Sequence, residues 1–203
     1  MEFRLLFKGE LLPSGNNNPR PEAKQVLRRQ FHPQLRRQWK LNKSLQQLAS
    51  HAGKPFPPEA DTEELIFQHG IKAIASKWSM FGFNFIPLGT EEDDVTCALD
   101  ILLLRPEESR FVYTQGDVDG QIKTIFDALS MPRSSKGLDK PADDENPLYV
   151  LLENNRLISE VHVTAEQLLL LPDEREVKAN DAFAVIHVTL GYRFKRFFDN
   201  YLG

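Results

Sequence analysis

Two carboxylates and an ammonium meet at a helix start in the stretch Gln115-Gly116-Asp117-Val118-Asp119-Gly120-Gln121-Ile122-Lys123. If the chain is still extended at Asp117 and Asp119, their side chains project to one side as a carboxylate pair. Oxygens of that kind hold Mg²⁺ or Mn²⁺, and a lysine beside them offsets charge developing on a phosphate or orients the attacking water. The chemistry such a set can support is phosphodiester hydrolysis. A third acid has to come from another element, and Glu153, directly after the apolar run Leu148–Leu152, is the expected one. The same residues have a plain structural account. Asp119 stands where a helix N-cap would, and Lys123 and Asp127 are spaced as an exposed helix pair worth about 0.3–0.5 kcal/mol.

These groups need elements to hold them. Ile122, Ile125, Phe126 and Leu129 follow the i, i+3, i+4, i+7 spacing of one buried face, which predicts a helix carrying Asp119, Lys123 and Asp127 as a second stripe. Apolar and alternating runs predict strands over 3–12, 83–87, 95–105, 148–152, 158–164 and 182–190. In 95–105 both alternating sets are largely apolar, so a central strand covered on both faces is expected, with Asp100 conspicuous in it. Helices are expected from Glu22 and from about Glu63, the first kinked or split at Pro33. The Pro- and Gly-rich run 53–58 and the polar run 133–146 read as loops.

The chain has 203 residues, 41% hydrophobic and 27% charged, which fits one ordinary globular domain. Its single cysteine, Cys97, lies in an apolar run, so no internal disulfide forms and a reducing, cytoplasmic setting is expected. No stretch approaches the about 18 apolar residues of a membrane span, so no membrane partner is expected. No G-x-S-x-G elbow, Gly-rich phosphate loop, C-x-x-C pair or H-E-x-x-H motif occurs, which leaves acid-plus-lysine chemistry.

The net charge of −4 conceals a segregation. Between Arg20 and Lys43 eight basic residues face one acid, Glu22, so this segment is +7 and the remainder −11. Lys24, Arg28, Arg29, Arg36, Arg37 and Lys40 can form a basic helical ridge for nucleic-acid phosphates, or a solvated face with internal partners. Trp39 beside them either stacks on a base or anchors the helix.

The order of Asp117-Val118-Asp119 with Lys123, Asp127-Ala128-Leu129 on the next helix, and a strand ending in Leu152-Glu153-Asn154 resembles the RusA-type Holliday-junction resolvases, whose pattern is D-x-D-N-x-x-K, then D-A-L, then an acidic pair. Leu12-Pro13-Ser14-Gly15-Asn16-Asn17 is similar to that family's P-x-S-x-N turn. Gly120 and Asn154 stand where the pattern has an asparagine and a second acid. The resemblance implies an α+β fold with a single mixed β-sheet and packed helices. It implies one RusA-like domain over 1–203, with a basic helical insertion at about 20–52 and an aromatic C-terminal extension at about 191–203. It further implies an Mg²⁺-dependent homodimer that nicks branched DNA, with Asp117, Asp119, Lys123 and Glu153 catalytic and Asp117, Asp119, Glu153 and Asn154 around the metal. The alternative is a catalytically impaired relative from a mobile element that binds DNA or protein.

Overall fold

Alternating and helical periodicities resolve into seven strands and four helices among residues 1–15, 17–57, 62–106, 117–169 and 180–192, the residues that the computed structural model describes, the side chains of Asp117 and Tyr192 excepted. The strands are β1 (Glu2–Glu10), β2 (Ser79–Met80), β3 (Phe83–Gly89), β4 (Val95–Arg105), β5 (Leu148–Leu152), β6 (Ile158–Gln167) and β7 (Asp181–Tyr192). The helices are α1 (Pro21–Leu41), α2 (Lys43–Ala52), α3 (Glu63–Lys77) and α4 (Asp117–Leu129), with a 3-10 turn at Asn155–Leu157.

The class is α+β, but the expected single sheet is two. One runs β1-β7-β4-β6 and the other β2-β3-β5, each mixing parallel and antiparallel pairs. Leu5 and Phe7 of β1, Cys97, Leu99 and Ile101 of β4, and Ala184, Ile186 and Val188 of β7 turn to one side of the larger sheet. There they meet Leu27, Phe31 and Leu35 of α1 and Ile125 and Leu129 of α4 in one core. The segment expected as an insertion therefore supplies central packing: α1 also carries Trp39, which meets Tyr149 of β5 edge-on at 6.5 Å. Anchoring, rather than base stacking, is its role.

Among the described residues, helices cover the larger sheet on one face only. In β4 the residues Val95 to Leu103 at odd positions are buried, whereas Asp100 is exposed and Leu102 and Leu104 are half-buried. Among the described residues the expected cover on both faces is not seen, because apolar composition alone cannot report that the described helices pack on the same side. Pro33 does not split α1 either. It is exposed, so the Arg29 carbonyl it leaves without an intrahelical donor lies on the solvent side, while Phe31, His32 and Leu35 remain buried.

The middle of the β1 edge, at Leu6 and Lys8, is closed by side chains. Gln34 accepts from Leu6 N at 2.9 Å and donates to Leu6 O at 2.7 Å, and Gln30, one turn earlier, does the same for Lys8 at 3.3 and 3.2 Å. A primary amide offers the donor and acceptor of a peptide group, so two glutamines at i and i+4 substitute for a neighbouring strand. At the far edge, β6 pairs only with β4 among the described residues, and its residues 159–162 are exposed. No helix among the described residues is long and apolar enough to cross a membrane.

Candidate functional site

Helix α4 begins at Asp117, two residues earlier than its expected cap at Asp119. Asp117 and Asp119 therefore sit about 200° apart around a helix instead of on one side of an extended strand. Polar contacts from α4 to the segment after β1 fix this register. Gln121 donates to Leu11 O at 2.9 Å, Thr124 Oγ1 to Leu12 O at 2.8 Å, and Ser14 N to Gly120 O at 2.9 Å. Gly120 is dictated by that contact: a Cβ there would stand 2.8 Å from Pro13 Cβ. Asp119 and Lys123 are both exposed, one turn apart on the outward side of α4. The third member of the stripe leaves it, because Asp127 pairs with Lys24 at 2.6 Å and accepts from Asn155 at 3.0 Å.

Glu153 lies at the other end of α4. Met131 N, just beyond that helix, donates to Leu152 O at 3.0 Å, and Glu153 N donates to Gly89 O at 2.8 Å. From Asp119 to Leu129 the helix rises about 15 Å at about 1.5 Å per residue. Oxygens sharing one Mg²⁺ sit within about 4 Å of each other, since each lies about 2.1 Å from the ion. Glu153 and Asp119 are thus not ligands of one ion in this arrangement, which corrects the expected pairing. Glu153 instead accepts from Glu91 N at 2.8 Å. Asn154 is also committed: its Oδ1 accepts from Arg156 N at 3.0 Å, capping the 3-10 turn, and its Nδ2 donates to Glu91 at 2.8 Å. The side chain of Asp117 lies outside the described residues. Among those described, no three His, Cys, Asp or Glu side chains gather closely enough to hold a metal ion. The described members of the expected set, Asp119, Glu153 and Asn154, are therefore not gathered around one point.

The basic ridge divides in two. Arg28 is 5% exposed and directs its guanidinium to Ser130 O at 3.0 Å, Asp127 O at 2.5 Å and Gln25 Oε1 at 3.4 Å, completing the last carbonyls of α4. Burial pushes its pKa down to about 10, with the Asp127 charge opposing. Lys24 is the partner of Asp127, and Arg29 holds Glu145 through two bonds of 2.6 and 3.3 Å. Lys24, Arg28 and Arg29 therefore serve the fold, correcting their reading as nucleic-acid contacts. Arg36, Arg37 and Lys40 are exposed, as is Lys43 at the start of α2. None of the four has an ion-pair partner among the described residues.

Two polar arrangements have partners that the sequence did not indicate. His32 is buried, with Nδ1 accepting from Tyr149 N at 3.0 Å and Nε2 therefore protonated and donating to Asp144 O at 2.9 Å. Burial lowers its pKa below the ordinary 6.5, the nearby Asp144 carbonyl opposing. Asp100, on the uncovered face of β4, lies between cross-strand neighbours His187 and His162 and meets His162 Nδ1 at 3.0 Å. Both residues of that pair are exposed, so the contact is weak.

Compared with protein-family models, curated proteins and solved structures, the chain matches none.

Proposed function

We propose that the protein binds the phosphate backbone of DNA through the C-terminal part of α1 and the start of α2, and that it is a RusA-like protein in which binding stands apart from the expected metal chemistry. The observation that carries this reading is the division of the ridge. A chain of net charge −4 pairs Lys24 and Arg29 with internal carboxylates and buries Arg28 against backbone carbonyls, yet leaves Arg36, Arg37, Lys40 and Lys43 exposed and without carboxylate partners among the described residues. Cations in that state condense readily onto a polyanion, because binding releases counterions. The test is retention of duplex and branched DNA against salt. Four phosphate contacts predict a slope in log K of about −3.6 per decade of salt, and Arg36→Glu with Arg37→Glu should reduce it by about 1.8. A slope unchanged by that double variant sinks the reading.

A second reading has its own observation: Asp119 and Lys123 are both exposed, one turn apart, beside Asp117. In this reading a cytoplasmic homodimer cleaves branched DNA in the presence of Mg²⁺ or Mn²⁺, in the manner of the RusA-type resolvases. Lys123 would offset phosphate charge and Asp119 would supply a carboxylate, with the remaining acids from outside the described residues. Incubation of branched, duplex and single-stranded DNA with Mg²⁺, Mn²⁺ or EDTA decides it. Metal-dependent product that vanishes in Asp119→Asn supports cleavage, and its absence leaves binding alone.

A further inference from the structure

The hairpin joining β2 to β3 turns through Phe81 and Gly82 with φ of +54° and +80°. Positive φ at both central positions marks a type I′ turn, whose favoured sequence is Asn-Gly. A bulky aromatic residue in the left-handed region is strained, and here the ring is 45% exposed, so it gains little burial in return. Its place in the structure offers a reason for that cost. Phe81, Trp78, Met80 and Met131 form the apolar side of a groove of about 360 Å³ whose polar side includes Arg133 and Glu153.

We propose that this groove binds one unstacked nucleotide with an amino-bearing base, the base against Phe81 and Trp78, its exocyclic amine donating to Glu153, and its phosphate on Arg133. The proposal deepens the DNA-binding reading and rests on it for the polymer, though not for the nucleotide itself. A volume near the lower end of the small-ligand range suits a single nucleotide better than a helix or a strand. Aromatic rings stack on any base. One face of Trp78 is already covered by the Lys77 ammonium, 5.5 Å from the ring centre. Charge complementarity selects the rest of the ligand. Arg133 is exposed and has a hydrogen bond to Asn155 Oδ1 and, among the described residues, no carboxylate partner, which leaves guanidinium N–H groups for an anion. Glu153 uses Oε2 for Glu91 N, and its other oxygen is an acceptor for an amine, which cytosine carries and thymine lacks.

The test titrates deoxycytidine and thymidine 5′-monophosphates against the full chain and reads tryptophan emission. The chain has two tryptophans and Trp39 is 1% exposed, so a change reports Trp78 and should disappear in Trp78→Phe. Saturable change with deoxycytidine monophosphate, weaker with thymidine monophosphate, is the expected result. Phe81→Asn should weaken binding by about 5- to 150-fold, the range for loss of one stacking ring, while raising the thermal midpoint because it installs the favoured turn. Glu153→Gln should narrow or invert the preference between the two nucleotides. No saturable change with deoxycytidine monophosphate overturns the proposal, as does Phe81→Asn that is stabilised with unaltered binding, or that is destabilised because the ring was packing. A mononucleotide is too small to span to the α1 cations. If nucleotides saturate but salt-dependent duplex retention fails, the groove stands without the basic-helix reading, and the reverse pattern removes the groove alone.

Discussion

Arg28→Met separates structural cations from binding cations. The guanidinium is buried and serves Ser130 O and Asp127 O at the end of α4, together with Gln25. Methionine preserves much of the stem packing but leaves two helix-terminal carbonyls without donors, each costing about 1–3 kcal/mol. Relief from burying a positive charge offsets part of that, so the expected loss is about 2–4 kcal/mol. At about 2–4 °C per kcal/mol for a chain of this size, the thermal midpoint should fall by about 5–15 °C. The assay is paired: thermal unfolding by circular dichroism, and DNA retention measured well below the midpoint. Arg28→Met should lower stability and leave retention unchanged, whereas Arg36→Glu with Arg37→Glu should do the opposite. If Arg28→Met unfolds at the parent temperature and loses DNA, the division of the ridge into internal and external halves is wrong.

Other outcomes follow from single contacts. Neutral His32 accepts from Tyr149 N, so protonation sets two donors against each other; its folded pKa is lowered, and its contribution is complete above the unfolded value of 6.5 and lost as pH falls through the folded one. Denaturant midpoints should therefore drop on acidification below 6.5 more steeply in the parent than in His32→Gln, and parallel curves would remove His32 as the cause. Gly120→Asn restores the residue of the RusA pattern but drives a Cβ to 2.8 Å from Pro13, so a loss of about 1–3 kcal/mol in chemical denaturation is expected, and a neutral result would show that the turn yields. Replacing Gln30 and Gln34 together with alanine uncovers the β1 backbone; light scattering should then show association that grows with concentration, and a strictly monomeric variant would show that the amides are dispensable.

The parts of the fold that alternate or repeat locally were legible. The 148–152 run is a fully buried strand, the 122–129 spacing is a helix face, and Cys97 is buried, its thiol pushed up to about 12 by loss of water. Phase was harder to read. In α3 Leu65 is exposed whereas Phe67, Ile71 and Ala75 face the core, because several apolar stripes compete on that helix. Spacing could not show that Asp119 and Glu153 lie at opposite ends of α4, since that follows from which strand pairs with the segment after the helix. The partners of the basic residues were equally out of reach. Glu145 and Asp127 meet Arg29 and Lys24 across about a hundred residues of chain, a separation no local pattern encodes. The tail, with Phe194, Phe197, Phe198 and Tyr201, lies outside the described residues.

The glutamine pair on β1 also gives the larger sheet a direction. Among the described residues, peptide groups are taken up by side chains at one border and left available at the other, along β6. Lateral growth of the larger sheet is therefore favoured at the β6 border. Two copies meeting border to border through β6 would each present a sealed rim outward, so the array stops at two, whereas a sheet open at both rims can add copies without limit. Two amides on one helix thus bias strand addition to the larger sheet toward its β6 border.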